Sequence, residues 1–417
     1  MKKFVIVLLI ACLLLGCGIG YFVARHNPAP APAESVPSDT ADAPEAPAET
    51  VPDASGIAEE APVMETRRLD LSALRDRYAP DQVVGSSEGI DVTWEEFFYW
   101  LNDMGSQAQS HIDTMALYGQ ARRWDDKIEA DSDTTFAQYT VQMVEDCIRE
   151  MHTIESLCAE NNVTLSTEDE EALAQQLQAD IVSYCGEGAT EEDFTAFLTE
   201  TYGSRGMYDR LNRLTMLYGG LYKALYGENA ANVSDEEALS YLADGGYLCA
   251  GHILFLTVDS STFEPLDEET VAAKLATAQQ VSDELRSIED VEARAARFAE
   301  LKAEYCEDSG KELFPDGYLF APGTMVTEFE DGVANLGEYE VSEPILSAYG
   351  YHVIMRLPLS LELSLQTPDG NSAANARAAY ASAQFRSMVS ARLEQAQLQL
   401  SDELTDFDLM PYLVEQG

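Results

Sequence analysis

The sequence predicts an α+β protein in which a small strand-and-helix domain follows a mainly helical domain. Apolar residues at helical spacing and repeated helix start signals occupy residues 81–245. Residues 246–358 then run in the order strand, helices, strand, strand, which is typical of an α+β domain of about 110 residues. A long helical pattern rich in Ala, Gln and Arg lies in residues 359–417.

The N-terminal segment, residues 1–26, is an apolar run from Phe4 to Ala24 between two basic ends. Its 21 residues are enough for one membrane helix, and the basic start favours export of everything that follows. A second interpretation stays open, because Leu14-Leu15-Gly16-Cys17 is similar to a lipoprotein signal in which Cys17 is lipidated. We favour the single-pass anchor, because a removed signal is normally short. Both interpretations predict attachment to the cell membrane, with the body on its extracytoplasmic face.

Residues 27–80 are predicted to form a disordered linker. As far as about Glu65 the segment is rich in Pro, Ala, Glu and Asp, contains half of the chain's 16 prolines, and has no Lys or Arg. Such a composition cannot bury a core and favours an extended, self-repelling chain. The segment is therefore predicted to be a spacer between the membrane and the folded body.

The overall composition excludes one class of partner. With 417 residues, 46% of them hydrophobic, the chain can build two or three domains, and its net charge is −49. Nucleic acid is excluded, because phosphate binding needs a basic surface. The five cysteines beyond the N-terminal segment are odd in number and lack paired spacing, so no disulfide framework is predicted.

The helical domain is predicted to open with a strand and turn over Val83–Val92. The sequence Thr93-Trp94-Glu95-Glu96 then forms a capping box, and apolar residues follow at helical spacing. Ser or Thr with an acidic residue three positions later recurs at Thr167, Thr190 and Ser234. Each of these pairs predicts a further helix start.

Gly245-Gly246 marks the start of the second domain. Its predicted elements are a strand over Tyr247–Val258, helices over Glu268–Ile288 and Val291–Tyr305, a turn-rich stretch over Glu307–Gly323, a helix over Val326–Leu336, and strands over Glu343–Ser347 and Tyr351–Leu357. A long helix over Ala373–Leu398 follows.

Two of the chain's five histidines lie in these predicted strands, His252 in the first and His352 in the last. Alternate side chains of a strand share a face, so His252 points with Ala250 and Leu254, and His352 points with Ile354. A single histidine on an apolar strand is more often a hydrogen-bonded core residue than a catalyst. Two of them in one small domain favour a shared site.

Other chemistries fit these residues less well. Cys249, His252, Cys306 and His352 are zinc ligands by type, but Cys249 and His252 should lie on opposite strand faces and the chain has no Cys-x-x-Cys motif. A nucleophilic Cys306 with a histidine lacks a recognisable third group. The sequence therefore predicts no metal and no cofactor.

Six segments of the second domain follow one another in a characteristic order. They are Cys249–Leu254, Phe298–Ser309, Phe314–Met325, Val326–Asp331, Gly337–Pro344 and Tyr349–Ile354. In this order they resemble the parvulin-type (PpiC) peptidyl-prolyl cis–trans isomerase domain. The resemblance implies a small antiparallel sheet with helices, and catalysis without a cofactor.

The resemblance also implies a set of site residues. His252 and His352 would form a buried catalytic pair, and Asp308 falls where family members carry Asp or Cys. Three apolar side chains would line the pocket for proline, namely Phe320, Met325 and Phe329.

This chain departs from the family pattern in two places. Many family members have Gly-Gly-Asp-Leu-Gly where this chain has Phe314-Pro315-Asp316-Gly317-Tyr318, so the shape of that turn is expected to differ. The loop Thr257–Glu269 is acidic and lacks the basic cluster of phospho-specific parvulins. A phosphorylated substrate is therefore not expected.

The flanking helices resemble, more loosely, those of extracytoplasmic foldases of the PrsA/SurA type. That resemblance implies a helical SurA-N-like domain at residues 81–245, on which a C-terminal helix in residues 359–417 packs. The predicted function is a membrane-attached peptidyl-prolyl isomerase and foldase that acts on unfolded or newly exported polypeptides with X–Pro bonds. A non-catalytic holdase chaperone with a degenerate parvulin domain, an anchored binding protein for one partner, and a homodimeric assembly all stay open.

Overall fold

The computed structural model describes residues 65–129, 131–366 and 375–415. The predicted anchor, Cys17 and the linker as far as residue 64 lie outside these residues. The described residues contain eleven α-helices and ten β-strands in two compact units. The first unit takes in the chain as far as Leu221 together with Val389–Gly417, and the second is Tyr222–Met388. No helix in the described ranges has the length and apolar character needed to cross a membrane.

Two small sheets of the first unit join segments that are far apart in sequence. Strand β1 (Arg67–Leu69) pairs antiparallel with β10 (Leu413–Glu415). The hairpin of β2 (Val83–Ser87) and β3 (Ile90–Thr93) takes β9 (Leu398–Leu400) as a third strand beside β2. The hairpin confirms the strand and turn predicted from the sequence, whereas β1, β9 and β10 were not predicted.

Ordered structure begins before the predicted end of the linker at residue 80. The short helix α1 (Ser72–Arg75) follows β1, and the side chains of Leu71 and Leu74 are buried. The prediction of disorder is therefore wrong for residues 67–75. Pairing with β10 and burial of two leucines give this segment hydrogen bonds and apolar contacts that its local composition does not reveal.

Three predicted helix start signals lie in the first unit, at Thr93, Thr167 and Thr190, and a helix begins at or next to each of them. The long helices of this unit are α2 (Trp94–Leu117), α3 (Phe136–Glu160), α4 (Thr167–Cys185), α5 (Glu191–Tyr202) and α6 (Arg205–Tyr226), which runs on into the second unit. Thr190 forms the predicted capping box at α5. At α4 the cap is Ser166, one residue before the predicted position, and Asp169 completes the box. Local hydrogen bonding thus fixes where these helices start.

Glu96 does not complete the capping box predicted for α2. Its side chain is fully buried, and its Oε2 accepts a hydrogen bond from Arg210 Nη1 at 2.8 Å. His152 Nε2 lies 2.9 Å and 3.2 Å from the two carboxylate oxygens, and His152 Nδ1 lies 3.2 Å from the carbonyl oxygen of Ser87. A buried carboxylate needs such a charged partner, so the side chain points into the unit rather than back to the helix end.

A five-stranded sheet forms the centre of the second unit. Its strands are, in spatial order, β6 (Ile345–Leu346), β7 (Gly350–Leu357), β4 (Leu248–Leu256), β5 (Tyr318–Phe320) and β8 (Leu365–Gln366). All neighbouring pairs are antiparallel except β5 and β8, which are parallel. The predicted antiparallel sheet is confirmed for β4, β6 and β7, and the short strands β5 and β8 were not predicted.

Helices cover both faces of this sheet. On the face that carries Ile253 and Val353 lie α8 (Glu268–Ser287) and α9 (Val291–Tyr305). Further along, α7 (Asp235–Asp244) and the start of α11 (Ala376–Leu393) pack around Leu319 and Leu365. The opposite face, around Phe320 and Ile354, is covered by α10 (Thr327–Ala334). The bounds of α8, α9 and α10 agree with the predicted helices to within two residues.

The second unit is larger than the predicted domain of residues 246–358. Leu242 of α7 and Ala376 of α11 share one buried cluster with Leu319, so the unit extends from Tyr222 to Met388. The C-terminal helix was predicted to pack on the helical domain. Instead its first turns belong to the core of the second unit, and only the chain from Val389 onward belongs to the first.

Candidate active site

The two histidines meet on one face of the central sheet. In the antiparallel pairing of β4 with β7, Leu254 is opposite His352 and His252 is opposite Ile354, so the histidines are diagonal neighbours. Their Nδ1 atoms are 2.9 Å apart, and their ring planes differ by 14°. Both side chains are buried. The strand faces predicted from the sequence are those observed.

Asp308 holds His252 from the far side of the ring. It follows α9, and its Oδ2 lies 2.9 Å from His252 Nε2, while Oδ1 accepts a hydrogen bond from the Gly310 backbone N–H at 2.9 Å. Tyr318 donates its hydroxyl hydrogen to the same Oδ2 at 2.5 Å. Partial burial acts to raise the pKa of Asp308, but the hydrogen bonds from His252, Tyr318 and Gly310 outweigh it and hold this pKa well below its ordinary value. Asp308 is therefore ionised at neutral pH.

Ser347 holds His352 in the corresponding way. Its Oγ lies 2.7 Å from His352 Nε2 and also accepts a hydrogen bond from the Tyr349 backbone N–H at 3.2 Å. Burial and, to a lesser extent, the neighbouring His252 lower the pKa of His352 to about 3, against the opposing effect of Asp308. His352 is therefore neutral at neutral pH.

One arrangement of protons satisfies these contacts, and we assign it from the hydrogen-bond geometry. Ser347 donates its hydroxyl hydrogen to His352 Nε2, His352 donates from Nδ1 to His252 Nδ1, and His252 donates from Nε2 to Asp308. The short Nδ1 to Nδ1 distance requires that one of the two nitrogens donates and the other accepts.

A cavity of about 400 Å³ opens beside the histidines. Met325 and Phe329 line it, and the ring of Phe329 lies 5.2 Å from that of His252 and 5.5 Å from that of His352. Leu254, Leu256 and Val258 extend its apolar lining. A cavity with an apolar lining and a few fixed polar groups is typical of a ligand site.

Phe320 is not placed as the sequence predicted. It is fully buried, its ring packs 5.9 Å from that of Phe329, and it is absent from the lining of the cavity. Strand β5 turns Phe320 toward α10, whereas Tyr318, two residues earlier on the same face, reaches the cavity. Phe320 therefore supports Phe329 without lining the pocket.

The turn that departs from the family pattern is well packed. Lys302 Nζ donates to the carbonyl oxygens of Phe314 at 3.1 Å and Pro315 at 2.9 Å. The rings of Phe314 and Tyr318 lie 4.7 Å apart. Gly317 has φ of 112°, in the region that favours glycine. The turn lacks the glycines of the usual family pattern and is stabilised instead by side-chain contacts of Lys302, Phe314 and Tyr318.

Tyr318 and Ser347 are site residues that the sequence reasoning missed. Tyr318 lies in the turn that had been noted only as a departure, and nothing in its local sequence marks it as a partner of Asp308. Ser347 lies between β6 and β7, five residues before His352, and this short spacing was the signal that could have identified it.

The two alternative chemistries find no matching geometry. Cys306 is buried, and its Sγ contacts backbone atoms, the N–H of Leu254 at 3.4 Å and the carbonyl oxygen of His252 at 3.7 Å. Cys249 is buried in the α7 and α11 cluster. Among the residues that the structure describes, no three His, Cys, Asp or Glu side chains form a group suited to a metal ion.

Comparisons with known proteins concern this same region. Residues 252–357 match the family model of the PPIC-type PPIASE domain, or rotamase. Foldase protein PrsA 1 of Bacillus cereus is 44% identical over 80 residues, which are 19% of this chain and 26% of that protein. Chaperone SurA of Pseudoalteromonas translucida is 38% identical over 71 residues, which are 17% of this chain and 16% of that protein.

Among solved structures, that of PrsA from Bacillus subtilis aligns with 64% of this chain and 89% of its own, at 18% identity and a TM-score of 0.22. The sequence matches span about a quarter of the PrsA relative and less of the SurA relative.

Proposed function

We propose that this chain, whose residues 252–357 are a parvulin-type PPIC domain similar to those of PrsA and SurA, is a peptidyl-prolyl cis–trans isomerase and foldase. The observation that carries the proposal is the hydrogen-bonded pair of His252 and His352 beside an open apolar cavity. Asp308 and Ser347 hold the outer nitrogens of the two rings, so the pair is fixed in orientation.

The reaction requires only that an X–Pro bond be helped to rotate. Amide resonance opposes this rotation with a barrier of about 18–20 kcal/mol, and uncatalysed exchange takes roughly tens to hundreds of seconds. In the twisted transition state the amide loses resonance, and its carbonyl carries less negative charge. An apolar, water-poor cavity therefore favours the twisted form over the planar one. No covalent intermediate is needed.

The cavity residues divide this work. Met325 and Phe329 supply the apolar surface against which a prolyl ring would pack. The hydrogen-bonded histidine pair supplies polar groups at a fixed place beside the prolyl amide. Asp308 and Ser347 act on the substrate through the rings that they hold. Catalysis then rests on positioning and desolvation rather than on proton transfer.

The lining of the cavity favours unmodified substrates. Glu307 and Asp308 contribute carboxylates, and the lining contains no Lys or Arg among the residues the structure describes. A phosphate beside the proline would be repelled. We therefore propose X–Pro segments of unfolded or newly exported polypeptides as substrates. We also propose that the chain acts at the extracytoplasmic face of the cell membrane, attached through its N-terminal segment.

The test is proline-limited refolding of a model protein in the presence of the full chain. We expect wild type to accelerate refolding, and Met325→Ala and Phe329→Ala each to reduce this acceleration about tenfold or more, because each removes apolar surface that contacts the prolyl ring. Met216→Ala, in the first unit, serves as a matched control and should behave as wild type.

Suppression of aggregation, measured on the same variants, separates the holdase alternative. An isomerase loses acceleration in the Met325 and Phe329 variants whatever happens to aggregation. A wild-type chain that suppresses aggregation but never accelerates proline-limited refolding would contradict the isomerase proposal and favour a holdase.

A further inference from the structure

We propose that Tyr318, in the turn that departs from the family pattern, is a positioning residue of the site and sets how strongly Asp308 binds His252. The effect of Tyr318 on the reaction rate rests on the isomerase function proposed above. The structural part of the proposal concerns one hydrogen bond and can be tested on its own.

The geometry places Tyr318 and His252 on one acceptor atom. The hydroxyl of Tyr318 donates to Asp308 Oδ2 at 2.5 Å, and His252 Nε2 lies 2.9 Å from the same oxygen. The Tyr318 ring also meets the His252 ring edge to face, with centroids 5.6 Å apart. A hydrogen bond from a neutral hydroxyl to an ionised carboxylate is among the stronger kinds. Tyr318 therefore contacts both the carboxylate and the imidazole that the carboxylate orients.

The turn around Tyr318 is built to hold the hydroxyl in this place. Phe314 packs on its ring, and Lys302 fixes the backbone at residues 314 and 315. Gly310 leaves the space that the hydroxyl occupies, since a Cβ on Gly310 would lie 2.5 Å from the Tyr318 oxygen. The departure from the glycine-rich turn thus adds a donor to the site, which argues against a degenerate site.

The consequence is a sharing of the carboxylate charge. An oxygen that accepts two hydrogen bonds draws less strongly on each donor than one that accepts a single bond. With Tyr318 in place, Asp308 orients His252 and shares the charge of Oδ2 between two donors. Without the hydroxyl, Asp308 should draw the Nε2 hydrogen of His252 more strongly. This should in turn change the hydrogen bond between His252 and His352.

The first measurement reads this bond directly and does not depend on activity. In the full chain labelled with nitrogen-15 histidine, only five histidines contribute signals. We expect Tyr318→Phe to move the His252 Nε2 hydrogen downfield, and Gly310→Ala, which displaces the hydroxyl sterically, to do the same. In an Asp308→Asn background, Tyr318→Phe should leave this signal unmoved. Tyr351→Phe, next to His352 in sequence, is the matched control.

The second measurement is kcat/KM for a prolyl peptide. Tyr318→Phe should lower it about three- to tenfold, the range expected for one partly compensated hydrogen bond to an ionised group, with no further loss in the Asp308→Asn background. A residue that only contacts substrate would lose the same factor in both backgrounds. An unmoved His252 signal in both Tyr318→Phe and Gly310→Ala overturns the inference, whether or not the chain is active. An inactive wild type with a moved signal overturns only the isomerase function.

Discussion

Replacing His352 by Gln should make the second unit less sensitive to acid. His352 is buried and neutral, and its pKa in the folded chain is about 3 against an ordinary value of 6.5. A histidine whose pKa is lowered in the folded chain binds a proton more readily in the unfolded chain. Its contribution to stability is therefore complete above pH 6.5 and is lost as the pH falls toward 3. Gln cannot titrate, so the variant should not show this loss.

The size of the effect follows from the shift in pKa. Each pH unit between the two pKa values changes the free energy of unfolding by about 1.36 kcal/mol. Between pH 7 and pH 4.5, wild type should lose roughly 2.5 kcal/mol through His352 alone. Asp308 contributes little in this window, because its pKa is lowered from an ordinary value of 3.8 and its titration matters only at lower pH.

The assay must report on the second unit. The chain's three tryptophans, Trp94, Trp100 and Trp124, all lie in the first unit, so their fluorescence reports on that unit. Urea unfolding of the second unit is better followed by hydrogen exchange of the peptide that covers β4, read by mass spectrometry. Measurements at pH 7 and pH 4.5 on wild type and His352→Gln give the four free energies needed.

We expect the loss of stability between the two pH values to be roughly 2.5 kcal/mol smaller in His352→Gln than in wild type. His111→Gln, in the first unit, is the control and should lose as much as wild type in the β4 peptide. Equal losses in wild type and His352→Gln would refute the reasoning, since they would mean that His352 titrates alike in the folded and unfolded chain.

Three further changes test the packing. Arg210→Ala should lower the stability of the first unit by about 3 kcal/mol in urea unfolding followed by tryptophan fluorescence, because the fully buried Glu96 carboxylate loses its guanidinium partner and keeps only His152; a loss below about 1 kcal/mol would contradict this. Lys302→Met should cost about 1–3 kcal/mol and speed hydrogen exchange in residues 314–320, because two carbonyl groups lose their donor; unchanged exchange there would count against it. Gly350→Ala should lower the melting temperature clearly, because a Cβ would lie 2.1 Å from the Phe255 carbonyl oxygen and force β7 away from β4. A melting temperature equal to that of wild type would mean that the strands adjust freely.

Elements with strong local signals could be predicted from the sequence. The helix Val291–Tyr305 was predicted at its observed bounds, and the box at Thr190 marks the start of its helix. Most strands of two or three residues, such as β8 and β10, could not be predicted. They exist only because a distant segment pairs with them, and their own residues carry no periodic pattern.

The site residues, too, could be predicted only in part. Strand alternation predicted the face of its own strand on which each of His252 and His352 lies, and the resemblance to parvulins brought the two together with Asp308. Tyr318 could not be found, because its role depends on a turn that brings it back to Asp308 across ten positions. Phe320 was misplaced because a resemblance assigns residues to a pocket without saying how far along a short strand the pocket extends. Tyr318 reaches the cavity, whereas Phe320, on the same face, does not.

The chain path of the first unit has a consequence for how the protein itself folds. Thr66 and Glu415, at the β1–β10 pair, contact each other across 349 positions, and β9 returns from the C-terminal side to β2. Residues 222–388 form one continuous stretch and can pack as soon as they have been synthesised. The first unit must leave β1 and the outer edge of β2 without their partner strands until residues 398–415 have been synthesised. The second unit is therefore expected to fold first, and a truncation near residue 398 should leave it folded while the first unit stays incomplete.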